Sequence, residues 1–239
     1  MTEALVISFM VILMAALAHA VSGFGFALLA IPLLAISLGA QTAVICVTAL
    51  GAVLSTGAMV RDRRYVQWRT AARMSVGAVA GMPFGLVALH ALGDRILTSL
   101  IGVVVLSAVW VLARTPSLPS GVRVHLVAGA SSGILLTSTG MNGPPLVLAL
   151  HGNLERRAFR ATLQSIFAVQ EIFAIAAFAY MGLMTEDIVR IAVFGCLALP
   201  IGWKMGDALF HCFSAQMYRT VVMGGLVISA ALAIVSAAK

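Results

Sequence analysis

Thr137–Pro145 reads TSTGMNGPP, set inside an apolar stretch, Val124–Leu150, that is too long and too broken for one membrane crossing. A second stretch of the same kind, Ala4–Leu38, is interrupted by SGFGF at Ser22–Phe26 and again by Pro32. An apolar helix crosses a bilayer in about 20 residues. In hydrocarbon a backbone N–H or C=O without a partner is costly, so a Gly-, Pro- and hydroxyl-rich break persists only where protein or a watery cavity covers it. Two such breaks, one in each half of the chain, are therefore read as designed features.

Working outward, six stretches read as single spans: Thr42–Val60, Ala72–Ala91, Ile96–Ala113, Phe159–Met181, Ile188–Trp203 and Met217–Ala237. The whole chain of 239 residues is 62% apolar and 10% charged, against roughly 45–50% and about 25% in soluble domains. Mean hydropathy is +1.08. Such a chain cannot clothe a soluble surface, which excludes disorder, coiled coil, collagen, a disulfide scaffold and almost any soluble enzyme. Cys46, Cys196 and Cys212 form no CxxC motif and read as small apolar fillers. The start, MTEALVISF, carries an acid where a signal peptide carries bases, so no cleaved signal is expected.

The halves correspond. Gly23, Pro83 and Gly85 recur as Gly140, Pro200 and Gly202, each 117 residues later. Leu106-Ser107 resembles Ile228-Ser229 at a spacing of 122. The reading is an internal duplication, with a first membrane repeat at 1–115 and a second at 116–239. Charge sets the orientation. If each broken stretch is a hairpin returning to its own side, twelve of the fifteen bases fall on one face of the membrane; eight simple crossings would divide them nine to six. The first division fits the positive-inside bias better. The expected fold is an all-α integral membrane protein of two inverted repeats, each a re-entrant broken hairpin plus three transmembrane helices, with both termini outside. For the first break, a full span followed by a partial one stays open.

SGFGFALLAIPLL (Ser22–Leu34), ASSGILLTSTGMNGPPLVLAL (Ala130–Leu150) and FRATL (Phe159–Leu163) together resemble the sulfite exporter TauE/SafE family of membrane permeases. The similarity covers nearly the whole chain. It implies export or import of small anions, with sulfite, sulfonates and related organosulfur acids as recurring substrates. The chain departs from the fuller G-x-G-G-G pattern, with Gly23-Phe24-Gly25-Phe26 in one half and Gly140-Met141-Asn142-Gly143 in the other.

The residues themselves agree with an anion site. Glycine lets backbone approach a ligand closely, and half-helix N-termini carry partial positive charge. The expected substrate-binding set is Ser22, Gly23, Phe24, Gly25, Thr139, Gly140, Asn142, Gly143, Pro144 and Arg160, with Thr137 and Ser138 as further neutral hydrogen bonders. Arg160 offers a fork of donors suited to an oxyanion, or serves as a topogenic anchor. Glu171 is the one acid well inside a span. A buried carboxylate asks for a reason, either proton coupling or a partner such as Arg160, Gln164 or Gln170. His19, four residues before the first break, is the second proton-coupling candidate. The glycines Gly77, Gly81 and Gly85 read as helix-packing positions.

Rival readings are an anion channel, a structural membrane subunit and an intramembrane enzyme built on the G-x-S-x-G match Gly129–Gly133. No metal-ligand spacing, phosphate-binding loop or nucleic-acid motif is present, so no metal, cofactor or nucleic acid is expected. The expected partners are a small anionic solute and the lipid bilayer of a bacterial-type inner (plasma) membrane; a homodimer is compatible and no residue demands it. The sequence reading is a secondary carrier working by alternating access.

Overall fold

The computed structural model describes residues 2–22, 25–114 and 118–210. Among them the chain is entirely helical: α1 (Thr2–Ser22), α2 (Phe26–Leu38), α3 (Ala40–Asp62), α4 (Trp68–Ala91), α5 (Asp94–Arg114), α6 (Val122–Thr139), α7 (Gly143–Leu150), α8 (Arg156–Tyr180) and α9 (Glu186–Phe210), with one 3-10 turn at Arg63–Tyr65. Four of these are long and apolar enough to cross a membrane: α3 with the turn after it, α4, α8 and α9. The expected span Met217–Ala237 lies outside the described residues, as do Cys212 and the Ile228-Ser229 pair.

The second break is narrower than the sequence suggests. Helix α6 holds through Thr139, and only Gly140, Met141 and Asn142 separate it from α7. Gly140 stands at φ 72°, ψ 7°, and its N–H returns to Leu136 O. That left-handed closing residue suits glycine, which has no Cβ to clash. The expectation for Pro32 is corrected: it does not interrupt the first stretch, because α2 runs through it with Ile31, Pro32 and Leu34 buried. Pro83 and Pro200 likewise lie inside α4 and α9. Packed neighbours hold such helices despite the missing N–H.

Helix directions follow from contacts. The start of α4 meets the start of α8, where Gln67 N donates to Thr162 Oγ1 at 3.0 Å. Gly77, Gly81 and Gly85 of α4 face the backbone of Leu126, Ala130 and Ile134 of α6 in the same order, so these helices run parallel. Gly129 and Gly133 return the fit against the backbone of Met74 and Ala78. Backbones this close leave no room for side chains, which is how small residues drive helix association in lipid. Arg61, ending α3, lies 5.2 Å over the Trp203 ring near the end of α9. Asn153 Nδ2 donates to Leu118 O at 3.0 Å, so the chain leaves α7 at the end where it approached α6.

Helix α1 runs beside α9. Ile12 fills the face of Gly195, while a Cβ on Gly202 would stand 2.6 Å from Leu13 O and 3.2 Å from Leu17 N. Gly202 follows Gly85 by 117 residues and Leu17 precedes Ile134 by 117, although the backbone atom nearest Gly202 is Leu13 O. The main apolar core gathers α1, α2, α3, α5, the end of α8 and α9 around Ile31, Val44, Leu50, Ile101 and Phe178. A second cluster joins α7 and α8 through Leu146, Leu150, Leu163 and Ile166.

Gly81→Val or Gly133→Val is expected to force α4 from α6, since overpacking costs about 1–3 kcal/mol and here the obstacle is backbone. Thermal melting of the purified protein in detergent should fall for either variant. Gly57→Val, at an exposed position with nothing within 4 Å of its Cβ site, should leave the melt unchanged.

Candidate functional site

The second break is held by one hydroxyl. Ser132 of α6 lies 2.8 Å from Asn142 O and 3.0 Å from Gln170 Oε1 of α8. It thereby satisfies the carbonyl at the N-cap of α7 and ties that turn to a neighbouring helix. Asn142 is 4% exposed and Gln170 0%, yet Asn142 Nδ2 and Gln170 Nε2 have no hydrogen-bond partner among the described residues. Gly143 is buried, but a Cβ built on it would meet only the Phe167 ring, at 3.9 Å. Buried amides therefore stand at the start of a helix, beside a buried glycine whose Cβ position is open except for the Phe167 ring.

The hydroxyls preceding the break are already engaged. Thr137 donates to Met82 O (2.9 Å) or Gly133 O (3.0 Å), Ser138 to Ile134 O (2.7 Å) and Thr139 to Leu135 O (2.7 Å). Each has one proton, so Thr139 offers an anion no donor in this arrangement. The face of Gly140 is filled by Ile31, with Val44 Cα 3.6 Å from its Cβ site, so its place is the turn. Pro144 and Pro145 follow Gly143 in the first turn of α7 and carry no N–H. Gln170 emerges as a site residue that the sequence reading left as a mere partner for Glu171.

At the first break Gly23 and Phe24 lie outside the described residues, as does the side chain of Ser22. Gly25 is buried at the N-cap of α2. His19 is buried, with Nε2 3.2 Å from Gln164 Nε2 of α8. Its ring meets Phe26 edge-on at 6.3 Å and Trp203 at 5.9 Å. Arg160, half-buried one turn before Gln164, is close enough to act on His19 electrostatically. Helix α8 thus reaches His19 through Gln164 and the second break through Gln170, which stand about 9 Å apart along its axis.

Glu171 faces away from this pair. It is 7% exposed and takes a hydrogen bond from Ser55 of α3. A Cβ on Gly51 would stand 2.8 Å from its Oε1, and Oε2 has no partner among the described residues. Arg160 is eleven residues away on the same helix, about 16 Å, so it is not the partner. The Gly129–Gly133 match lies inside α6 with both glycines against α4, which leaves no strand-to-helix elbow for a nucleophilic serine.

Ser132→Ala removes the hydroxyl that serves both Asn142 O and Gln170. An unsatisfied buried carbonyl costs about 1–3 kcal/mol, so stability should drop in a detergent melt. Anion affinity should drop about tenfold with it, since 1.4 kcal/mol corresponds to that factor. Ser131→Ala, on the neighbouring position, should change neither.

No curated protein and no solved structure matches the chain. A family description, Sulfite exporter TauE/SafE, matches residues 8–233. That family is one of membrane transporters for sulfur-containing anions. With its long apolar helices and this match over nearly all its length, the chain belongs to the sulfite exporter TauE/SafE family and is a multi-pass membrane protein.

Proposed function

We propose that the chain is a secondary carrier that exports a small sulfur oxyanion, such as sulfite or a sulfonate, across a bacterial-type inner membrane. One observation carries the reading: beside the start of α7 the buried side-chain amides of Asn142 and Gln170 each keep a polar atom with no hydrogen-bond partner among the described residues. Buried donors without acceptors are rare in native proteins and ask for an absent partner. An anion at a helix N-terminus supplies one.

The transport mechanism is alternating access of two inverted repeats, 1–115 and 116–239. The helix directions support it. The α6–α7 hairpin opens at the end where α4 and α8 begin, while α2 returns to the opposite end, where Gly39 meets Asp94. The 117-residue offset between Ile134, which faces Gly85, and Leu17, which faces Gly202, supports the duplication. In this reading the substrate moves between the His19, Gln164 and Arg160 group and the Asn142 and Gln170 group, and Glu171 carries the coupled proton.

The test is flux of radiolabelled sulfite or methanesulfonate in proteoliposomes. A carrier saturates and responds to an imposed proton gradient; linear flux across the same range marks a pore and removes the carrier reading. Glu171→Gln should keep downhill exchange and lose gradient-driven accumulation. Accumulation at the wild-type rate with unchanged pH dependence would remove Glu171 from the coupling step.

A further inference from the structure

We infer that the site at the second break selects singly charged sulfur oxyacids, sulfonates and hydrogen sulfite, over doubly charged ones such as sulfate. The inference rests on the carrier reading and names the charge state that this site accepts.

Formal charge is kept away from the start of α7. Helix α7 carries none. The charged and titratable groups of α4, α5 and α6 lie in their first two turns or their last turn, with Arg73 and His125 the deepest. Those near the start of α8 stop at Arg160, ten residues before Gln170, about 15 Å along the helix. Glu171 is adjacent in sequence but is turned to Gly51 and Ser55 of α3, whose other titratable groups are the buried thiol Cys46 and, in its last turn, Arg61 and Asp62. What faces the space at Gly143 is therefore neutral. The cost of taking an ion out of water grows as the square of its charge, so a dianion costs about four times as much as a monoanion of the same size.

The donor count points the same way. An α-helix ordinarily presents several unbonded N–H groups in its first turn. Here Pro144 and Pro145 occupy two of those positions and remove two donors. In the first turn of α7 Gly143 keeps its N–H, and Asn142 Nδ2 and Gln170 Nε2 join it. Ser132 has one proton for two acceptors, Asn142 O and Gln170 Oε1. If the Gln170 amide is turned over, its nitrogen donates to Ser132 and its oxygen faces the space instead. Either orientation leaves one neutral polar atom of Gln170 there. It can donate to a sulfonate oxygen or accept from the hydroxyl of a protonated oxyacid, and it adds no charge.

The experiment is equilibrium binding to the full chain in liposomes, by calorimetry, at about pH 6 and about pH 8. Methanesulfonate is a monoanion at both and reports any titration of the protein itself. Sulfite changes from largely monoanion to largely dianion between them, and sulfate is a dianion at both. Methanesulfonate should bind equally at both values, sulfite should weaken about tenfold or more at the higher one, and sulfate should not compete at tenfold excess. Pro144→Ala, which restores one backbone N–H in the buried first turn of α7, should raise sulfate affinity about tenfold. Sulfate binding as tightly as methanesulfonate, or sulfite binding more tightly at the higher pH, overturns the selectivity and leaves the carrier reading standing. If none of the three anions binds, the carrier reading falls and the selectivity falls with it.

Discussion

A backbone that breaks inside hydrocarbon must settle its polar groups without water, and the turn Gly140–Asn142 shows how this chain does so. The N–H of Gly140 closes back on Leu136, and the carbonyl of Asn142 is met by Ser132. The two prolines that follow remove N–H groups that would otherwise lack partners. What is left over includes the N–H of Gly143 and the two buried side-chain amides, so the place where a solute can be held is set by how the break is stabilised.

That turn depends in turn on the packing of its carrier helices. Ser132 lies between Gly129 and Gly133, the two glycines that let α6 settle against the backbone of α4. A displacement of α6 from α4 would move Ser132 as well, and with it the bond to Asn142. Helix α8 is the common neighbour: its Gln164 meets His19 before the first break, and its Gln170 meets Ser132 at the second. A shift of α8 along its axis would act on both breaks at once.

The described spans were legible in the sequence because length and hydropathy alone set them; Thr42–Val60 and Phe159–Met181 fall within two or three residues of helices α3 and α8. The glycines Gly77, Gly81 and Gly85 were legible because a spacing of four places them on one face. The donors of the site were not. Thr137, Ser138 and Thr139 look like ligands in a list of polar residues, but a hydroxyl in a helix readily donates to the carbonyl one turn back, as these do. Gln170 and Glu171 are neighbours in sequence, yet about 100° of helical rotation sends one to α6 and the other to α3. Only the three-dimensional arrangement separates a glutamine that serves the carboxylate from one that serves the break.

Burial bears on how a solute could cross. A water-filled pore through this site would wet its amides, whereas Asn142 is 4% exposed and Gln170 0%. Wet amides would also need no protein partner, and the hydroxyl of Ser132 would have no reason to be held between two acceptors. A solute that reaches these groups must therefore displace something first, and the short α7, eight residues long, borders them. It is held by the Ser132 bond, by packing against α5, α6 and α8, and by the Asn153 bond at its far end. In the carrier proposed above, α7 is the element whose movement would open these amides to one side of the membrane at a time.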